Sequence, residues 1–284
     1  DRQVSYALQT NGMALNEEWT HFLKENQFLV GLSVDGYREL HDHYRVDTKG
    51  EGTYGRVAKA LALLQKFEVE TNLLCVVTGQ CAKHPQKTYA SMKKLGVRYL
   101  QFIPCLDPLE EQRGRAVYSL TPKLYGDFLC GLFDQWYRDW AEGHYTSVRL
   151  FDDYVHLAMG EPASTCAASG GCGSYFVVEA DGGVYPCDFY VLDRWRMGDV
   201  HTDSLKQLAN DETASEFLRQ GRLRPSRGAS CRWVPLCNGG CRRDWTGGAD
   251  DTENYYCESF RRFFEYAADR IGEIAWQERR SRMR

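Results

Sequence analysis

Seven of the chain's eleven cysteines fall in its second half, in the order Cys166-x5-Cys172-x14-Cys187 and then Cys231-x5-Cys237-x3-Cys241-x15-Cys257. Glycines crowd the same stretches, at Gly170, Gly171, Gly173, Gly239 and Gly240. Thiolates gathered round a metal centre need close backbone approach, and glycine permits the dihedrals this requires. The first residues lack the basic-then-apolar layout of a secretory leader, so reduced thiols are expected in place of a disulfide framework. An odd total fits ligands plus bystanders better than complete pairing. All-thiolate ligation suits iron–sulfur clusters or zinc, and spacing alone leaves both open. Zinc sites usually show paired C-x2–4-C knuckles, and only Cys237-x3-Cys241 has that form.

With 284 residues, 43% of them hydrophobic and 13% aromatic, the chain can bury a sizeable core as one large domain or a medium and a smaller one. A net charge of −4 gives no reason to expect nucleic acid or an acidic membrane as partner. No apolar stretch is long enough to span a bilayer, and a cytoplasmic location is expected. The run Arg279–Arg284 reads as a solvated tail. The chain opens on Asp1 without an initiator Met, and its first residues read like a strand entered midway, so a fragment is expected.

The first part alternates strand and helix signals. Val4–Leu8 reads as a strand ending in a polar turn, Asn16 as the cap of a helix to about Gln27, and Phe28–Val34 as a strand stopped by Asp35–Gly36. Thr53 opens a helix with Val57, Ala60, Leu61, Leu64 and Phe67 at helical spacing. Asn72–Val77 is a strand, Pro85–Leu95 a helix ended by Gly96, and Val97–Ile103 the next strand. Thr121–Pro122 begins a long amphipathic helix. Near-continuous apolar strands alternating with helices require a parallel sheet under helices, with working residues on loops at the strands' C-terminal ends. About four strands are too few to close a barrel. Beyond residue 162 the character changes. Glycine and cysteine become dense, Asp181–Gly182–Gly183 marks a hairpin, and helices stay short until one from about Glu258 to Trp276. Cys75, Cys81, Cys105 and Cys130 read as buried or half-buried bystanders.

At this point the strings resemble a known family. Gly183–Tyr190 (GVYPCDFY) and Pro235–Arg243 (PLCNGGCRR) are similar to the SPASM domain of anaerobic sulfatase-maturating enzymes, which are radical S-adenosylmethionine (AdoMet) enzymes. Leu8–Gly12, Val30–Gly36, Leu74–Thr78 and Gln101–Leu109 resemble the same family's barrel strands, in order. The resemblance implies an α/β fold: an incomplete (β/α)6 radical AdoMet barrel over 1–162, then a SPASM auxiliary iron–sulfur domain over 163–284. It implies oxidation of a Cys or Ser of a sulfatase to formylglycine, with a sulfatase polypeptide as substrate and an electron donor such as flavodoxin or ferredoxin.

Carried over by position, Cys166, Cys172, Cys187 and Cys241 hold one auxiliary [4Fe–4S] cluster, and Cys231, Cys237 and Cys257 belong to a second. Asp188 matches the family's base, which takes the substrate proton; without the resemblance it is a turn-forming carboxylate. Ser33 and Arg45 match positions that bind AdoMet, and Leu106 packs near it; by itself Arg45 is an exposed loop cation. His41 and His43, beside Asp42, read as a solvated loop. Arg242 and Arg243 either offset cluster charge or pair with Asp244. Two departures stand out. Gly228 occupies a position that is cysteine in the family's second cluster. The C-x3-C-x2-C loop that cleaves AdoMet is absent from these residues and is expected before Asp1, so the chain alone is expected to be inactive. A related SPASM peptide maturase, or a non-enzymatic iron–sulfur or zinc module, are the other readings.

Overall fold

A computed structural model describes residues 3–109, 111–247 and 251–283. Strands β1 (Ala7–Thr10), β2 (Leu29–Ser33), β3 (Thr71–Val77), β4 (Tyr99–Pro104) and β5 (Ser147–Val148) form one sheet in that order, every pair parallel. Parallel pairing makes each connection cross back over the sheet. Helices α1 (Glu17–Glu25), α2 (Arg38–Tyr44), α3 (Tyr54–Lys66), α4 (Pro85–Lys93) and α5 (Pro122–Ala141) make these crossings, and α6 (Arg149–Ala158) follows β5. Val30, Leu32, Leu73 and Val77 are fully buried, which explains why the inner strands read as apolar runs. The sheet is open, an incomplete barrel of five strands, not four. The fifth has two residues, too short to leave a periodic signal. The first strand runs Ala7–Thr10, not Val4–Leu8, because pairing of Gln9 with Gly31 and Thr10 with Leu32 draws the polar pair into the ladder. Asn16 caps α1 as expected, its side chain accepting from Trp19 N–H at 2.8 Å.

The stretch read as a solvated loop around His41 is the helix α2, and His41 is fully buried. Its Nδ1 accepts from Asp35 N–H at 3.1 Å, and its Nε2 lies 3.0 Å from Thr53 Oγ1. The Thr53 hydroxyl in turn donates to the Arg45 carbonyl at 2.9 Å. One tautomer satisfies all three bonds, with Nε2 protonated and Nδ1 bare. Burial accordingly pushes the His41 pKa below its ordinary value.

The second half is built from short elements: α7 (Cys166–Ser169), β6 (Val177–Val178), β7 (Gly183–Tyr185), β8 (Gly198–Asp199), α8 (Leu205–Ala209), α9 (Glu212–Gly221), α10 (Val234–Cys237), β9 (Trp245–Thr246) and β10 (Glu253–Asn254). β6 and β7 form the expected hairpin, with the Asp181 carboxylate accepting from Gly183 N–H at 2.9 Å. The last helix, α11 (Cys257–Arg282), turns back onto α5 and α6. There Phe263 sits against Phe133, Phe151 and Tyr154 with ring centroids 5.5, 5.5 and 5.6 Å away. One apolar core therefore takes residues from both ends of the chain. The described part of the terminal basic run is helix, not free tail: Arg279 donates to the Met159 carbonyl and Arg282 pairs with Glu161 at 2.7 Å. Among the described residues no helix is long and apolar enough to cross a membrane.

A His41 pKa lowered in the fold means that the unfolded chain takes up a proton first. The stability this group contributes is complete above its ordinary pKa of about 6.5 and is lost as pH falls from there through the lower folded-state pKa, with a limiting slope of about 1.4 kcal/mol per pH unit. Thermal melts between about pH 7.5 and pH 5.5 are expected to show a steeper loss of Tm in the wild type than in His41→Asn. Equal slopes would contradict the buried neutral imidazole.

Candidate functional site

The first thiol group is assembled by a buried carboxylate and two glycines. Asp153 on α6, 1% exposed, accepts from Ser164 N–H and from the Thr165 hydroxyl, both at 2.6 Å. Thr165 caps α7 by accepting from Ala168 N–H at 3.3 Å, which fixes Cys166 as the first residue of that helix. The helix ends at Gly170 with φ +65°, where a Cβ would lie 2.1 Å from the Asn238 carbonyl oxygen. Only glycine fits there. Asn238 returns the contact, its Nδ2 donating to the Ala168 carbonyl at 2.9 Å. Cys172 lies against Gly221, the last residue of α9, where a Cβ would come within 2.5 Å of the Cys172 sulfur. Cys187 follows β7 and faces the Tyr175 hydroxyl at 3.2 Å, and Cys241 accepts from Arg243 N–H at 3.4 Å.

Burial raises the pKa of Cys172, Cys187 and Cys241, the last to about 12. The thiols also raise one another: Cys172 feels Cys187 and Cys166, and Cys241 feels Cys166 and Cys187. The partly desolvated thiols of Cys172, Cys187 and Cys241 therefore favour the neutral form until a strong Lewis acid deprotonates them. Arg242 stands beside them. Its guanidinium lies 5.3 Å from the rings of Tyr190, Trp195 and Phe217, and one arm donates to Gln220. Its Nη1 is buried without a hydrogen-bond partner among the described residues, and its charge pulls the Cys172 pKa down. A half-buried cation with a buried, spare N–H suits an anionic sulfur-ligated centre. Neither arginine forms the expected pair with Asp244. That carboxylate takes Arg113 at 2.9 Å, while Arg243 donates to the Asp107 carbonyl and Arg113 to the Arg243 carbonyl. This knot ties the loop after β4 to the Cys241 segment.

The second group lines a separate cavity of about 160 Å³ with Cys231, Cys237 and Cys257. Cys237 is raised by burial and by Cys231, and Cys257 by burial and, among other charges, by Cys237. Gly228 forms the remaining side; a Cβ there would stand 3.9 Å from the Cys257 sulfur. Among the described residues no three His, Cys, Asp or Glu side chains converge on a single-ion point. Cys231, Cys237 and Cys257 stand around a cavity instead, which suits a centre with several metal atoms.

A second cavity, of about 230 Å³, lies between the end of β4 and the first thiol group. It brings Leu106 together with Cys166, Cys241 and Phe189. Asp188, next to Cys187, is exposed and lies 3.0 Å from the Tyr175 hydroxyl. Ser33 ends β2, away from that cavity's lining, with Arg45 nearby. Arg45 is not the free loop cation of the sequence reading. It is half-buried and grips Asp35 through Nε at 2.6 Å and Nη2 at 3.3 Å. Asp35 also accepts from Val76 N–H at 2.8 Å, so the ion pair is held across the ends of β2 and β3. Cys75 and Cys81 are buried, Cys105 and Cys130 half-buried. Sequence reasoning missed Tyr175, Asp153 and the Arg113–Asp244 pair, whose partners lie 11 to 131 residues away.

Residues 170–242 match the family model SPASM, described as an iron-sulfur cluster-binding domain. The chain is 45% identical, over 275 residues, to the cysteine-type anaerobic sulfatase-maturating enzyme of Clostridium perfringens, covering 96% of this chain and 74% of that enzyme. It is 30% identical to the serine-type enzyme of Bacteroides thetaiotaomicron over 94% of this chain and 68% of that one. The solved structure of native anSMEcpe with bound AdoMet and Kp18Cys peptide superposes with a TM-score of 0.92 at 44% identity, over 96% of this chain and 76% of that one.

Because Gly221 leaves no room for a side chain beside Cys172, Gly221→Ala is expected to displace that sulfur and lower iron content by about four per chain after anaerobic reconstitution. Unchanged iron, with the first thiol group still loaded, would contradict the packing argument.

Proposed function

The chain belongs to the family of anaerobic sulfatase-maturating enzymes, radical AdoMet oxidoreductases with [4Fe–4S] clusters, and from that premise we propose that it takes part in oxidising one cysteine of a sulfatase to formylglycine. Chain-wide identity of 45% to a cysteine-type enzyme, against 30% to a serine-type one, carries this reading and supports cysteine as the residue oxidised. In this reading residues 1–162 form the AdoMet-binding barrel and 163–284 the auxiliary cluster domain. Cys166, Cys172, Cys187 and Cys241 hold one cluster, and Cys231, Cys237 and Cys257 belong to the other. When bound, AdoMet and the clusters supply radical hydrogen abstraction and electron acceptance. These 284 residues contain no C-x3-C-x2-C sequence, and our reading assigns AdoMet cleavage to such a loop in an adjoining segment. These residues alone would then not turn over, and a reduced carrier such as flavodoxin or ferredoxin would supply electrons.

The chain's own groups have separate tasks. Ser33 and Arg45, at the C-terminal end of β2, hold AdoMet. Asp35 uses Nε and one Nη2 proton of Arg45, which leaves Nη1 free for the methionine carboxylate. Leu106 gives the apolar wall. Asp188 takes the proton from the substrate thiol, and Tyr175, 3.0 Å from its Oδ1, orients it.

Asp188→Asn, introduced in a polypeptide carrying the AdoMet-cleaving loop, is expected to lower aldehyde formation on a sulfatase peptide by about 100-fold or more, with 5′-deoxyadenosine still formed. Mass spectrometry of the peptide follows the first and chromatography the second. Wild-type aldehyde yield from the variant would remove Asp188 from the mechanism.

A further inference from the structure

We propose that the cavity of Cys231, Cys237 and Cys257 holds a cluster with one iron that no protein thiolate reaches, and that this iron binds a small anionic ligand, a soluble thiolate or cyanide, at the Gly228 corner. The inference rests on reading this cavity as a cluster site. A four-iron cubane takes four ligands, and three sulfurs line the cavity. On the remaining side stands Gly228, whose missing Cβ would lie 3.9 Å from the Cys257 sulfur. A side chain there would stand toward the Cys257 thiol; the hydrogen atom leaves the position open.

No other described lining residue replaces it. The described lining contains no His, Asp or Glu. Its one amide, Asn254, is committed: Nδ2 donates to the Gly239 carbonyl at 3.0 Å, and Oδ1 accepts from Tyr256 N–H at 2.8 Å. The charged lining residues are the three cations Arg224, Arg227 and Arg261. Arg227 is tied to Asp251, and Arg224 to the Asn238 carbonyl. Guanidinium groups donate but do not ligate iron, and their charge favours an anion entering beside them. Soft sulfur or carbon donors match an iron already held by thiolates.

The test is anaerobic reconstitution of the 284-residue chain, iron analysis, and pulsed EPR of the reduced protein with and without ¹³C-cyanide. Iron of about eight per chain with a ¹³C coupling is expected. The coupling should persist in Cys172→Ala, which removes the first site, and vanish in Gly228→Cys at unchanged iron. Gly228 has φ +85°, so the cysteine variant carries backbone strain; the wild-type and Cys172→Ala spectra decide the matter if it fails to fold. About eight irons without coupling would overturn the open iron while leaving the cluster reading intact. About four irons, all lost in Cys172→Ala, would overturn both for this cavity.

Discussion

The turn from Cys237 to Cys241 is the wall on which both thiol groups depend. Cys237 faces Cys231 and Cys257 on one side, while Cys241 feels Cys166 and Cys187 on the other. Between these two cysteines the backbone is left-handed throughout: Asn238 at φ +50°, Gly239 at +82° and Gly240 at +68°. Side chains oppose such a path, so glycine is needed where neighbours crowd in. A Cβ on Gly240 would come within 2.4 Å of Asn254 Nδ2. The Gly239 carbonyl accepts from both Asn254 Nδ2 at 3.0 Å and Trp245 Nε1 at 3.1 Å, which pins the turn from outside. Asn238 reaches the other way, to α7, and sets Cys166 against it.

This wall is joined to the sheet by polar and apolar links of different character. The polar link is the Arg113–Asp244 pair with Arg243 on the Asp107 carbonyl, nearly all of it buried. Burial alone would push the Asp244 carboxyl pKa up, and the Arg113 hydrogen bond works against that rise. Paired and hydrogen-bonded charges of this kind specify one docking geometry more than they add stability. The apolar link is α11, which begins at Cys257 and packs on α5 and α6. The Cys257 thiol and part of the aromatic core thus sit on one rigid element, so Cys257 is positioned by Phe263 and Phe264 several residues away.

Long, periodic elements were readable in the sequence: α1, α3, α4, α5 and the apolar strands β2 to β4 lie within a few residues of expectation. What was not readable depends on partners distant in sequence. β5 is two residues long and exists only because Tyr99 and Leu100 pair with it. His41 looked solvated because its partners, Asp35 N–H and Thr53, come from a strand end and a helix start. Arg242 could be read either as offsetting cluster charge or as pairing with Asp244, because the three rings it lies over belong to separate segments. In the site, cysteine spacing pointed to metal chemistry. The division of the sulfurs into two groups could not be read from it, since Cys237 and Cys241 are near neighbours in sequence. That division was implied only by family resemblance.

The central claim is that two independent thiol groups load iron separately across one shared turn. Anaerobic reconstitution followed by iron, sulfide and zinc analysis of three proteins tests it: the wild type, Cys172→Ala with Cys187→Ala, and Cys231→Ala with Cys257→Ala. The account predicts about eight irons in the first and about four in each of the others, with distinct EPR signals in the two variants. Loss of all iron from either variant, or zinc in place of iron in the wild type, would contradict it.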